Sequence, residues 1–173
     1  AGGTSKVGSA RNVRNVFLQR EASADFAVDD AEMVQFNPDI NNYYCWAVGD
    51  KLSAGSGGGL LYGKARNSNT ISIEICSNCS PRTNVALNHS NHDGWSFTEK
   101  ELDNAVKLAK ILMKKYNIPI DRVVRHYDIT GKLCPGLIGW NDAPEVYDKT
   151  KGKRIVGAKN NSNEWEKFKA RLK

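Results

Sequence analysis

The sequence predicts an α/β fold in which a central sheet is covered by helices. Segments with helical periodicity alternate with β-branched segments along the chain, which is typical of this class. The 173 residues are enough for a single domain with a sizeable core, and 40% hydrophobic with 25% charged residues is a globular composition. No run of 18 apolar residues occurs, which argues against a transmembrane helix.

The N-terminal part of the chain predicts one helix and one hairpin. Residues 8–20 have the spacing of an amphipathic helix, with Ser9 as its N-cap. Residues 25–36 contain two apolar runs on either side of the acidic pair Asp29 and Asp30, which predicts a β-hairpin with its turn at that pair. The apolar face of the helix consists of Val13, Val16 and Phe17.

The middle of the chain alternates between loops and one clear strand. Residues 37–50 are turn-rich and aromatic, and residues 53–59 contain four glycines, so both are expected to be loops. The glycine-rich stretch lacks the Gly-Lys-Ser/Thr ending of a phosphate-binding loop. Residues 70–76 predict a strand. Its alternation divides the side chains into Ile71, Ile73 and Ile75 on one face and Ser72, Glu74 and Cys76 on the other.

The C-terminal half contains the strongest helix signal. Residues 98–116 combine a capping box from Thr98 to Glu101 with continuous helical spacing, and Asn117 and Pro119 are expected to end the helix. Residues 122–126 predict a short buried strand that ends at a histidine, and residues 127–148 are read as loops with at most one helical turn. A terminal helix is predicted over residues 162–172, with Ser162 as its N-cap and its apolar side formed by Trp165, Phe168 and Leu172.

The formal net charge of +6 favours anionic partners such as nucleic acid, anionic lipid or an acidic cell-wall polymer. The basic residues are dispersed, however, and no motif that reads a nucleic-acid groove is present. Solvated basic faces are the simpler interpretation, so neither nucleic acid nor membrane insertion is expected.

Four polar residues could carry chemistry. His126 and Cys134 lie eight residues apart around a polar loop, and zinc accepts both imidazole nitrogen and thiolate sulfur. By spacing alone, a hydrogen-bonded histidine and a small core cysteine are the commoner explanation. Glu74 either faces water or lines a cleft, where it could act in acid–base catalysis. Lys132 is either a solvated loop residue or a group that stabilises an oxyanion beside a metal.

The remaining cysteines and histidines carry weaker signals. Cys76 and Cys79 form a C-x-x-C pair, which could be half a metal site, a redox pair or two unrelated thiols. No helical periodicity follows the pair, so unrelated thiols or an adventitious disulfide are favoured over a redox motif. His89 and His92 lie in a polar stretch and are expected to belong to a loop.

The string from His126 to Gly136 resembles the C-terminal metal-binding motif of type 2 N-acetylmuramoyl-L-alanine amidases. This family includes phage endolysins, bacterial autolysins and the peptidoglycan recognition proteins. Further stretches that agree in order are residues 21–30, 46–50 and 69–74, so the similarity covers roughly residues 1–140. The resemblance implies a mixed sheet flanked by helices with one zinc in a surface groove. It also implies hydrolysis of the amide between N-acetylmuramic acid and L-alanine.

The same resemblance implies roles for the four residues. His126 and Cys134 match zinc ligands, Glu74 matches the general base, and Lys132 matches a lysine that steadies the tetrahedral intermediate. The family's third ligand is a histidine on the first strand, directly before a string like the one that opens this chain at Ala1. That ligand and the first strand are therefore expected to precede the sequence given. Substitution by His89 or His92 remains an alternative. Phe26 falls where the family has a tyrosine or histidine, which leaves proton transfer to Glu74.

The implied organisation is an amidase catalytic domain over residues 1–173. It has a core of about 1–140 and a C-terminal extension with a terminal helix over 141–173. The expected partner is peptidoglycan, and a separate wall-binding domain could accompany the chain. Action on the bacterial cell wall is expected, outside the cell or after release from a phage host. The alternative is a non-catalytic muropeptide-binding domain, against which Glu74, Lys132 and Cys134 argue.

Overall fold

A computed structural model describes two compact units of the chain. The residues described are 2–3, 6, 8–52, 58–79, 95–137, 139–141, 145–148, 153–156 and 163–173. Unit 1 comprises Ala1–Gly49, Ala65–Asn78 and Phe97–Asn117. Unit 2 comprises Asp50–Lys64, Cys79–Ser96 and Ile118–Lys173. None of the described helices combines the length and the apolarity that crossing a membrane requires.

Helices and strands alternate along the described chain, as the sequence predicts. The elements up to residue 79 are β1 (Gly2–Gly3), α1 (Ser9–Phe17), β2 (Phe26–Val28), β3 (Met33–Gln35), β4 (Ile73–Ile75) and β5 (Ser77–Cys79). The later elements are β6 (Trp95–Ser96), α2 (Glu99–Tyr116), α3 (His126–Thr130), β7 (Glu145–Asp148), β8 (Lys153–Val156) and α4 (Glu164–Ala170). Short 3-10 turns occur at Asn67–Asn69 and Ile120–Arg122.

Unit 1 contains a mixed sheet of order β3-β2-β4. β2 runs antiparallel to β3 in the predicted hairpin and parallel to β4, with Ala27 opposite Glu74. β1 pairs in parallel with β5, Gly2 lying opposite Ser77. The mixed sheet and its helices confirm the α/β class.

The central strand β2 is buried on both faces. Ala27 belongs to a fully buried cluster that includes Ala10 of α1 and Cys76. Phe26 and Val28 point to the opposite face and are buried as well. Both α1 and α2 contact β2. The buried face of α2 includes Leu102, Ala105, Leu108, Ala109 and Leu112.

The ends of α2 confirm the predicted capping signals. The Thr98 hydroxyl accepts a hydrogen bond from the backbone N–H of Glu101 at 3.2 Å. At the other end Asn117 adopts a left-handed conformation with φ of 53° and closes the helix. Local sequence signals therefore determine where this helix starts and stops.

The N-cap of α1 differs from the prediction. The helix begins at Ser9 rather than being capped by it, and Gly8 occupies the cap position with φ of 87°. Glycine has no side chain that could accept a hydrogen bond from the helix. The buried carboxylate of Asp29 does so instead, accepting from the N–H of Ala10 at 3.0 Å.

The strand predicted over residues 122–126 is wrong. A 3-10 turn ends at Arg122, and α3 begins at His126. Val123 and Arg125 do have the extended backbone that the valines favour, but residues 123–125 are not paired in a sheet. The Arg125 N–H donates instead to the Asp128 carboxylate at 2.7 Å, which stabilises the helical turn that begins at His126. Gly131, with φ of 79°, ends that turn.

The last part of the chain contains a hairpin that the sequence analysis misses. β7 and β8 pair antiparallel, with Glu145 opposite Val156. The terminal helix is confirmed as α4, with Asn163 at the cap position. Ser162, the predicted cap, lies outside the described residues.

Candidate active site

Three of the four predicted site residues lie on α3 and the loop that follows it. His126 is the first residue of α3, and Lys132 and Cys134 lie in the loop. The Tyr127 N–H donates to the Cys134 carbonyl at 3.2 Å, so the loop folds back onto the start of the helix. Gly131 makes the reversal, and its N–H donates to the Tyr127 carbonyl at 2.8 Å. An eight-residue separation in sequence thereby becomes one compact turn.

The glycine-rich segment contributes to this turn. The Gly59 N–H donates to the Tyr127 carbonyl at 3.0 Å. A Cβ added at Gly58 would come within 2.4 Å of that same carbonyl oxygen. The backbone therefore approaches α3 more closely than any residue with a side chain would allow.

The environment of His126 favours a neutral imidazole. The ring is half-buried, and burial together with the nearby Lys132 ammonium lowers the pKa of His126 to about 4. The imidazole is uncharged at pH 7 as a result. A metal ligates the neutral form, because the cation has no free lone pair.

Cys134 supplies a second soft donor in the same turn. Its sulfur is not in a disulfide, and the residue is half-buried. Pro135, the residue after Cys134, is held by a later part of the chain, because the buried side-chain amide of Asn141 donates a hydrogen bond to the Pro135 carbonyl at 3.2 Å. The loop that carries Cys134 is therefore anchored on both sides.

The donor chemistry of this turn fits zinc, which prefers imidazole nitrogen and thiolate sulfur. Within the described ranges, no group of three or more His, Cys, Asp or Glu side chains is arranged to hold a metal. His126 and Cys134 could supply two of the three donors that a catalytic zinc site takes from protein. His89 and His92 lie outside the described residues.

Glu74 lies in unit 1, whereas the other three predicted residues lie in unit 2. It is the central residue of β4, opposite Ala27 of the buried strand β2. The side chain is half-buried, as are its strand neighbours Ile73 and Ile75. Residues of the predicted apolar face and of the predicted polar face are therefore both half-buried in this strand.

The C-x-x-C pair is not a disulfide, because Cys76 is a free thiol with no exposed surface. Burial, with a contribution from the Asp29 carboxylate, raises the pKa of Cys76 to about 11. A protonated, buried thiol is unreactive and packs as a small apolar group. This excludes a redox role for Cys76; the side chain of Cys79 lies outside the described residues.

Sequence analysis missed the side chains that frame α3. The Arg125 guanidinium binds the Asp128 carboxylate, with the shortest contact at 2.6 Å, and its Nη1 donates to the Trp140 carbonyl at 2.9 Å. The Arg-x-x-Asp spacing was a usable signal, since residues three apart meet on a helical turn. The contact with Trp140 could not be read from it.

A family model described as N-acetylmuramoyl-L-alanine amidase matches residues 2–137. The chain belongs to this amidase family. The N-acetylmuramoyl-L-alanine amidase CwlA of a Bacillus species is 32% identical over 128 residues, which cover 73% of this chain and 41% of that protein. The amidase CwlH of Bacillus subtilis (strain 168) is 37% identical over 118 residues, 67% of this chain and 36% of that protein. The chain thus spans well under half the length of these relatives.

Solved structures show the same amidase fold. The catalytic domain of XlyA has a TM-score of 0.55 and 27% identity, covering 98% of this chain and 80% of that one. A mutant endolysin from Bacillus subtilis has the same TM-score and identity, covering 98% and 79%. Because 98% of the chain is covered, the structural likeness extends past residue 137, where the family match ends. The family resemblance seen in the sequence is therefore confirmed.

Proposed function

We propose that this chain is the catalytic domain of a zinc-dependent N-acetylmuramoyl-L-alanine amidase. It hydrolyses the amide between the lactyl group of N-acetylmuramic acid and L-alanine in peptidoglycan. Family membership supports the reaction, and relatives named as amidases support the substrate. The structural observation that supports the proposal is the turn that folds the loop bearing Cys134 back onto the start of the helix that begins at His126.

His126 and Cys134 would hold the zinc, which when bound polarises the scissile carbonyl and acidifies a water molecule. Glu74 acts as the general base: its carboxylate accepts a proton from the attacking water and passes it to the leaving nitrogen of L-alanine. The Lys132 ammonium stabilises the negative charge that develops on the carbonyl oxygen as water attacks and the tetrahedral intermediate forms. Phe26 cannot transfer protons, so the proton path runs through Glu74 alone.

The third protein ligand is proposed to be a histidine that precedes Ala1 in the natural protein. The pairing of Gly2 and Gly3 with β5 supports this, because a residue just before them would continue a strand already in register. The alternative is that His89 or His92 supplies the third zinc ligand in its place.

The proposed site of action is the bacterial cell wall, as the names of the relatives suggest. The chain spans 41% and 36% of two of them. A separate wall-binding domain is proposed to accompany it. Neither nucleic acid nor a membrane is a proposed partner.

Replacement of Glu74 by Gln tests the mechanism. We expect release of stem peptides from purified peptidoglycan to fall by about 10²–10⁴-fold, because the amide cannot accept the proton. Zinc content should be unchanged, since Glu74 is not a ligand. Glu32→Gln is the matched control: it removes another half-buried carboxylate of unit 1, one that pairs with Arg11. Full activity in the Glu74 variant would show that Glu74 is not the base.

The same assay separates the amidase from a muropeptide-binding domain. A catalytic chain generates new L-alanine amino termini in the digested wall. A binding domain would retain affinity for muropeptide and generate none, and that outcome would overturn the proposal. Glu74, Lys132 and Cys134 favour catalysis, since a binder needs neither a general base nor an oxyanion partner.

A further inference from the structure

We infer that Arg125 is a positioning residue that fixes His126 against the C-terminal helix α4, so that α4 supports the metal-binding turn. The inference rests on the proposed function, in which His126 is a zinc ligand. It assigns a role to a segment that lies beyond the family match, which ends at residue 137.

Arg125 and Asp128 together stabilise the start of α3. Arg125 precedes His126, and its side chain is 7% exposed. Its Nε and Nη2 donate to the Asp128 carboxylate at 2.6–3.2 Å, and its backbone N–H donates to the same carboxylate at 2.7 Å. The two residues that bracket His126 are thereby joined through both backbone and side chain. A helix of five residues would not persist without such contacts.

Arg125 also links this turn to α4. The Arg125 guanidinium lies over the ring of Trp165, 5.2 Å from its centroid, and over the ring of Tyr127 at 5.1 Å. Its remaining arm, Nη1, donates to the Trp140 carbonyl at 2.9 Å. One side chain therefore connects α3, the segment 139–141 and α4.

Helix α4 also contacts the segment 139–141 directly. The backbone N–H of Trp165 donates a hydrogen bond to the Gly139 carbonyl at 3.1 Å. The Trp140 ring lies 6.3 Å from Trp165 and 5.4 Å from Phe168, between ring centroids, and Phe168 is buried. The neighbouring Asn141 amide reaches the Pro135 carbonyl, next to Cys134. Contacts that start at α4 thus reach the neighbours of both donor residues.

The chemistry of this position requires arginine. The planar guanidinium donates to a carboxylate through two of its nitrogens and to a carbonyl through the third, and it lies over two aromatic rings. A lysine ammonium carries the same charge but cannot make these contacts together. Groups that orient metal ligands without touching the metal typically change metal affinity by about 10–100-fold when they are removed.

The experiment measures zinc affinity in the full chain by competition with a chromophoric chelator, at a temperature where circular dichroism shows each variant to be folded. We expect Arg125→Lys and Trp165→Leu each to weaken zinc binding by about tenfold or more. Trp165→Phe should restore affinity to within about threefold of the natural chain, since a phenyl ring also attracts the guanidinium. Arg11→Lys is the matched control, because Arg11 also binds a carboxylate through two contacts, but on the surface of unit 1.

Each outcome is informative. Weakened zinc binding in Arg125→Lys and Trp165→Leu, with rescue by Trp165→Phe, supports the inference. Unchanged zinc affinity in folded variants, even with reduced resistance to urea, would make Arg125 and α4 merely structural and overturn it while the proposed function stands. If Arg125→Lys does not fold, the two Trp165 variants decide by the same criteria. A natural chain that binds no zinc would overturn both proposals.

Discussion

At the scale of single residues, Asp29 caps α1 from outside the helix. Its carboxylate has no exposed surface and accepts from the N–H of Ala10, 19 residues away, and from those of Ala31 and Glu32 in its own turn. Burial acts to raise the pKa of Asp29, but these backbone bonds outweigh it and hold the pKa below its ordinary value. The charged carboxylate is therefore the form that the fold stabilises.

Replacement of Asp29 by Asn should lower the free energy of unfolding at pH 7 by about 1–3 kcal/mol, measured in urea. Because the folded pKa lies below the unfolded one, this stability is present above the unfolded pKa and is lost as pH falls through the folded pKa. The difference between natural chain and variant should shrink on acidification. Asp121→Asn is the control, because Asp121 is an exposed carboxylate and its replacement should change stability little at any pH. A difference that grows toward low pH would contradict this account.

Asp29 shows which contacts of a single residue can be predicted from the sequence and which cannot. The acidic pair identified the hairpin turn, because turn chemistry is local. That the same carboxylate would replace a side-chain cap at Gly8 depends on how α1 packs against β2. Arg125 is a similar case, since its partner Asp128 could be read from spacing but Trp140 and Trp165 could not.

At the scale of elements, α2 depends on its cap. The Thr98 hydroxyl accepts from the Glu101 N–H and donates to the carboxylate of Asp30 in the hairpin turn. Thr98→Ala should therefore reduce the free energy of unfolding by about 1 kcal/mol or somewhat more. Thr98→Ser should restore most of the loss in the same urea titration, because it keeps the hydroxyl. Equal loss in both variants would assign the effect to the methyl group instead.

The elements that sequence reasoning recovered are those whose signals are local. The start of α2 follows from a capping box and its end from Asn117, and the β2–β3 hairpin follows from its turn. The β7–β8 hairpin was missed because each strand has four residues and is defined by its pairing. The strand predicted through Val123 and Val124 was wrong because the extended backbone there is not paired in a sheet, and the Arg125 N–H donates to the Asp128 carboxylate rather than to a neighbouring strand.

At the scale of the whole molecule, the order of the motifs along the chain was more informative than the predicted helices and strands. Residues 126–136 and three earlier stretches sufficed to indicate the amidase family, and the family match over residues 2–137 confirms it. Membership does not depend on exact element boundaries, since a motif encodes chemistry that several local conformations can present. His126 illustrates this: it begins a helix rather than ending a strand, and it still shares one turn with Cys134.

Zinc binding should therefore be visible in the stability of the folded chain as a whole. A ligand that binds only the folded state stabilises it by about 2.7 kcal/mol at a hundredfold excess over its Kd, so added zinc should raise the Tm. Cys134→Ser should remove most of this rise, because a hydroxyl is a poor zinc ligand. Cys45→Ser is the matched control: it is a half-buried free cysteine of unit 1 and should leave the zinc-induced shift intact. A shift that persists in the Cys134 variant would remove Cys134 from the ligand set, whereas no shift in the natural chain would count against zinc itself.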